Sequence, residues 1–237
     1  MYYVNPQIQF DAHNLLGSYN QVTNYLCMNV PGFHESKEFW LFYYVKEDLA
    51  MSMNSLNGQV IDYMYLPYPL IQNNVRHAIE AYLDLYNLTK DQTYMDVLRC
   101  NARQITPEVC SDKYRERLEK VKFFSLKQKL HIAKNLGLDF PYDLRQMVND
   151  ANSLIHPNTF ITPMDPDYRE KWRVLKNLLN IHLELLSQSF RLLLESVPKM
   201  EIIGAQAFYI DQLEHHMRND IENLLFLQQV TWVPQKA

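Results

Sequence analysis

Glycine is scarce in this 237-residue chain: the 5 present, Gly17, Gly32, Gly58, Gly137 and Gly204, stand alone. A phosphate-cradling loop needs several glycines in close spacing, so neither a dinucleotide-binding turn nor a P-loop can be built. Cysteine is scarce too. Cys27, Cys100 and Cys110 are odd in number and contain no C-x-x-C pair, which argues against a disulfide framework and for a reducing, cytoplasmic setting. No apolar run approaches the ~18 residues of a membrane span, and the N-terminus lacks a basic region followed by an apolar one. Charge of one sign is not in excess. Lys+Arg total 23 and Asp+Glu 27, a formal charge of −4. A generally basic surface for gripping a duplex is therefore excluded, while a local basic patch is not.

The usual catalytic signatures are missing as well. There is no G-x-S-x-G and no H-E-x-x-H, and none of the 8 histidines follows an acidic residue by three positions. Such i, i+3 pairs are what helical bundles use to hold metals, so neither a metal nor a cofactor is expected. Asp211 and His215 could share a metal, but a second pair is lacking. Glu214, His215, His216 and Arg218 read more simply as a solvated helix face.

What is present is helical periodicity in nearly every segment, with no alternating β-branched run between hairpin turns. Helices are predicted over 6–28, ended by Asn29-Val30-Pro31-Gly32, over 36–61, and over 70–87. Thr89 to Gln92 reads as a capping box opening a helix that ends near Ala102. Pro107 in Thr106-Pro107-Glu108 marks another start. Ser125 to Gln128 is a second capping box, with Gly137 as the stop. A short helix over 142–155 breaks at His156-Pro157-Asn158. Asp167 to Glu170 is a third capping box, opening the longest helix, 167–196, and a last helix covers 201–229. The expected architecture is all-α: one domain over 1–237, a bundle of long helices with short ones inserted, residues 1–65 being set off as a helical hairpin.

Three places carry chemistry. In the short helix, Arg145, Asn149, Asn152 and His156 follow steps of four, three and four, which aligns them on one face. A guanidinium, two amides and an imidazole in line suit phosphate binding and proton transfer; they equally suit a solvent-facing polar stripe ended by a His cap. Arg76 and Glu80 are four apart beside an apolar stripe. They form either a structural ion pair or a guanidinium held toward a phosphate or carboxylate. His182 lies in line with Leu175, Leu179 and Leu186, where a hydrogen-bonded core histidine is expected.

Arg76 to Tyr86, an Arg-x-x-x-Glu helix running into Tyr-Leu-Asp-Leu-Tyr, together with Asn152-Ser-Leu-Ile-His156-Pro157-Asn158 and the long Leu-rich helix, resembles helical proteins of the HEPN-like superfamily. The resemblance covers about 65–196, with 66–197 as its core. It implies a helical bundle with a site at the His-Pro turn. Catalytic members of that superfamily are metal-independent ribonucleases, often homodimeric, that serve in toxin–antitoxin and phage-defence systems. Arg145 and His156 stand farther apart than in the catalytic members' Arg–His motif, so the resemblance transfers His156 first, with Arg76 and Glu80 behind it as catalytic candidates. Arg145, Asn149, Asn152 and Asn158 are the binding candidates. The partners implied are RNA or a nucleotide, or an antitoxin or other protein. The alternative is a non-catalytic helical interaction or regulatory protein in which these groups are structural.

Overall fold

The computed structural model describes Gly17, residues 19–20, 23–24, 26–28, 30–58, 68–121, 123–147 and 168–196. Every regular element among them is helical and none is a strand. The described positions between 17 and 28 are helical. A turn at Pro31 and Gly32 (φ +73°) then starts a short 3-10 helix, Phe33–Glu35. Among the described residues the α-helices that follow are α1 (Lys37–Gly58), α2 (Tyr68–Lys90), α3 (Tyr94–Asn101), α4 (Asp112–Lys120), α5 (Leu126–Asn135) and α6 (Tyr168–Ser196), with a 3-10 turn at Pro107–Val109 before α4, and residues 144–147 are helical as well. The long helices expected from periodicity are therefore present over 37–58, 70–87 and 168–196.

Helices α1, α2 and α6 pack on one another, and α5 covers a further side of α2. On α1 the buried side chains Phe42, Val45, Leu49 and Met53 recur every three to four residues, the spacing of one helical face. On α6, Leu179, His182, Leu186, Phe190 and Leu193 do the same. Each buried Leu or Phe contributes about 1.5–3 kcal/mol relative to exposure. Tyr19, Phe42 and Phe190 form an aromatic cluster between these faces, Tyr19 standing edge-on to Phe190 at 5.0 Å between ring centres and Phe42 at 5.4 Å from the same ring. Helix α2 is enclosed: every residue over 81–88 is buried, so its polar residues Asp84 and Asn87 must find partners inside.

Local signals decide the helix ends, with two corrections. The Ser125 box forms as expected, Ser125 Oγ accepting from the Gln128 amide while Gln128 Oε1 accepts from the Ser125 amide. The Thr89 box does not. Helix α2 runs on to Lys90 because Leu85 and Leu88 are core residues, and Thr89 Oγ1 and Gln92 Nε2 donate back to the Leu85 and Leu88 carbonyls. Asp91 starts the next element instead, its Oδ1 accepting from Thr93 N at 3.1 Å. The Pro107 start yields only the three-residue 3-10 turn. The Cys110 carbonyl that a continuing helix would use is taken by the Arg115 Nε and Nη2 donors at 3.1 and 2.7 Å.

Helices α3 and α5 end alike, with a left-handed residue and a pair of bonds back into the last turn. In α5, Leu138 N donates to Ala133 O at 2.9 Å and Gly137 N to Lys134 O at 3.1 Å. In α3, Gln104 N donates to Arg99 O at 2.8 Å and Arg103 N to Cys100 O at 2.9 Å. The left-handed position holds Gly137 (φ +90°) in one and Arg103 (φ +58°) in the other. A side chain there costs about 1–2 kcal/mol. Arg103→Gly should accordingly raise stability by about 0.5–1 kcal/mol and Gly137→Ala lower it by about 1–2 kcal/mol. Urea unfolding of both variants checks this, and equal signs would refute it.

Candidate functional site

The expected Arg76–Glu80 ion pair is not made. Both residues lie half-buried on α2, but Glu80 turns to α5, where its Oε1 accepts from Lys129 Nζ at 2.7 Å. Lys129 reaches that position because Leu126, Leu130 and Ala133 bury the same face of α5 against α2; the lysine occupies a core position of that face. Its ammonium also donates to Asp84 Oδ2 at 2.6 Å. Asp84 Oδ1 accepts from the Tyr94 hydroxyl at 2.7 Å, and Asn87 Nδ2 donates to the Lys129 carbonyl at 3.1 Å. One ammonium thus bridges two carboxylates on α2, of which Asp84 is buried with it and Glu80 is half in water, and a tyrosine from α3 closes the remaining Asp84 oxygen.

Burial pulls the Lys129 ammonium down, but the charges and hydrogen bonds of Asp84 and Glu80 outweigh it and hold the pKa above its ordinary value. Burial drives the Asp84 carboxyl up against the pull of Lys129 and Tyr94. Two donors on its two oxygens match an ionised Asp84 facing a charged Lys129. The Tyr94 hydroxyl is raised well above its ordinary value by burial and by the Asp84 charge, so it stays a donor.

A third carboxylate, Asp91, just past the end of α2, joins it to α4. Asp91 accepts from Thr93 N and Oγ1, from Lys113 Nζ at 2.7 Å and from the Tyr114 hydroxyl at 2.6 Å. Burial works against its charge, yet the bonds from Lys113, Thr93 and Tyr114 hold its pKa at about 2.

His182 is the hydrogen-bonded core histidine the Leu stripe implies. It is fully buried, with Nε2 at 3.0 Å from the Val45 carbonyl. Desolvation lowers its pKa to about 4, only partly offset by that bond, and its Nδ1 has no partner among the described residues. The imidazole is therefore neutral, with Nε2 carrying the proton. One turn further along α1 from Val45 lies Asp48, also buried, whose carboxyl is pushed up to about 7 first by desolvation and then by the charge of Glu47.

Of the remaining candidates, Arg145 is exposed in the helical stretch 144–147, the described part of the short helix expected over 142–155, and Asp143 caps its start, its Oδ1 accepting from the Arg145 and Gln146 amides at 3.0 and 3.2 Å. His156, Asn149, Asn152 and Asn158 lie outside the described residues, as do Asp211 and His215. Arg76 has no hydrogen-bond or ion-pair partner among the described residues. Among them, too, no three His, Cys, Asp or Glu side chains gather closely enough to hold a metal, and no helix is long and apolar enough to cross a membrane. Sequence reading missed the Lys129 network. Its trace was a lysine on the apolar face of α5 and an aspartate inside the apolar run from Ala81 to Leu88.

The fold and these groups define an all-α helical bundle with a buried ionic network on its central helix. Comparison with family models, with curated proteins and with solved structures finds no match to this chain.

Proposed function

We propose that this chain is an HEPN-like helical protein that acts on RNA without a metal, with Arg76 as a phosphate-binding cation and His156 as the acid–base group. The observation that carries the reading is the release of Arg76. Lys129 takes Glu80, so a half-buried guanidinium is left on α2 with no carboxylate partner among the described residues. A partly desolvated guanidinium without a counter-charge is suited to bidentate contact with a phosphate. Glu80 moves from the catalytic set to the structural one. In cleavage, His156 would take the proton of the 2′-hydroxyl, and Arg76 would offset the charge that builds on the phosphorus oxygens.

A dye-labelled single-stranded oligoribonucleotide at low salt, with chelator present, tests the reading by anisotropy and by gel. Arg76→Ala should weaken binding about tenfold, ~1.4 kcal/mol, and His156→Ala should leave binding and helical content intact while ending cleavage. Absence of RNA binding, or binding unchanged in Arg76→Ala, overturns the reading. One observation favours the alternative of a non-catalytic interaction protein: Trp40, Tyr44 and Met51 lie on one side of α1, each about half exposed (45%, 54% and 49%). Large apolar side chains left exposed along one helix face are of the kind found at interaction surfaces.

A further inference from the structure

The thiols of Cys100 and Cys110 take no part in the Lys129 network or in the Arg76 site. Cys100 ends α3, half-buried; Cys110 follows the Pro107–Val109 turn and is buried. Both are free thiols, yet their Sγ atoms are 3.1 Å apart. The approach is built by the backbone on both sides of Cys110. Its carbonyl is gripped by Arg115, and the next amide, Ser111 N, donates to Asp96 Oδ2 on α3 at 2.7 Å. Cys110 Sγ also contacts the Thr106 carbonyl at 3.5 Å. The intervening segment is at the surface, with Ala102, Arg103, Gln104 and Val109 exposed.

We propose that Cys100 and Cys110 are a modification site, a vicinal thiol pair that low-molecular-weight disulfides convert reversibly into an internal disulfide. The half-buried Cys100 reacts first. Its thiolate attacks one sulfur of the small disulfide, forms a mixed disulfide and expels the other half as a thiolate. Cys110 then gives its proton to solvent and attacks Cys100 Sγ. The Cys100–Cys110 bond forms and the second half leaves as a thiolate. Two protein thiols lose two electrons and two protons, and the small disulfide becomes two thiols.

The order follows from the surroundings. Burial, then the hydrogen bond and charge of Cys100, then the charge of Asp96 push the Cys110 thiol up to about 12, with Arg115 opposing. In the mixed disulfide Cys100 carries no charge, so its share of that opposition is gone when Cys110 must ionise. Burial persists, which makes ring closure the slower step. The product is a closed loop linking the end of α3 to the start of α4, and excess small thiol reopens it.

Oxidised glutathione serves as the probe on the full chain, followed by unfolding, N-ethylmaleimide trapping and intact-mass and peptide measurement. The expected product is lighter by two hydrogens, alkylated once, at Cys27, with Cys100 and Cys110 in one linked peptide. Dithiothreitol should restore three alkylated thiols. Cys110→Ser should stall with glutathione on Cys100, and Cys27→Ser should still close the loop. Glutathione still on Cys100 of the unsubstituted chain once the reaction has reached its end point, three thiols still free, or a bond that includes Cys27 would each overturn the proposal.

Discussion

Lys129→Met lowers the stability of the protein by about 3–5 kcal/mol, the usual cost of leaving a buried charge without its partner. Methionine keeps the length and apolar stem of lysine, so the loss does not come from a cavity. It comes from Asp84, which is left inside the bundle with only the Tyr94 hydroxyl. Glu80 loses the same partner but suffers less, because its side chain is 43% exposed and regains water. Adding Asp84→Asn to the methionine variant should recover most of the loss, since an amide oxygen still accepts from Tyr94 and no buried charge remains. Urea unfolding of the two single variants and the double closes the thermodynamic cycle. A single-variant loss under ~1 kcal/mol would show that the network contributes little.

The second large effect is on pH dependence. His182 is neutral when folded but free to protonate when unfolded. Acid therefore favours unfolding below its ordinary value of 6.5, and the loss is complete near the folded value of about 4. That amounts to roughly 3 kcal/mol. Asp48 acts in the opposite sense. Folded, it keeps its proton up to about 7; unfolded, it releases it above 3.8, so acid favours the folded chain over the same interval by a similar ~3–4 kcal/mol. The two nearly cancel, and the unsubstituted protein should change little in stability between pH 7 and pH 4 on their account. Asp48→Asn removes the gain and leaves the loss. It should be more stable than the parent at pH 8 and about 3 kcal/mol less stable at pH 4 than at pH 7. Denaturant midpoints of the two proteins across that range decide the matter, and parallel curves would refute it. Below pH 4 both proteins should weaken as Asp91, held at about 2, takes up its proton and releases Lys113 and Tyr114.

Legibility in the sequence followed the range of the interaction. The long helix α6 was readable because its leucines repeat at helical spacing, and His182 was readable as a core residue because it falls in that repeat. Ser125 and Gly137 were readable because a cap and a stop are made with neighbours. Thr89 misled for the same reason: a Thr-x-x-Gln string can cap a helix or sit inside one, and the burial of Leu85 and Leu88 decided for the interior. The partners of the buried polar groups were beyond reach. Lys129 meets Asp84 across 45 positions and His182 meets Val45 across 137, and no local pattern records such a pairing. The Arg76–Glu80 pair was assigned on i, i+4 spacing, which a better-placed lysine from another helix overrode.

The late position of α6 in the chain sets the order of events during synthesis. The cover for Phe42 is Phe190, and the acceptor at Val45 waits for His182, while Tyr82 on α2 waits for Gln188, 106 residues later, at 2.6 Å. A ribosome therefore releases α1 and α2 well before the helix that seals them. At elongation rates of roughly 5–20 residues per second, their apolar faces spend several seconds exposed in the emerging chain. Within that interval α1 and α2 can meet each other but cannot complete the core, so the bundle closes only as the segment up to Ser196 leaves the exit tunnel.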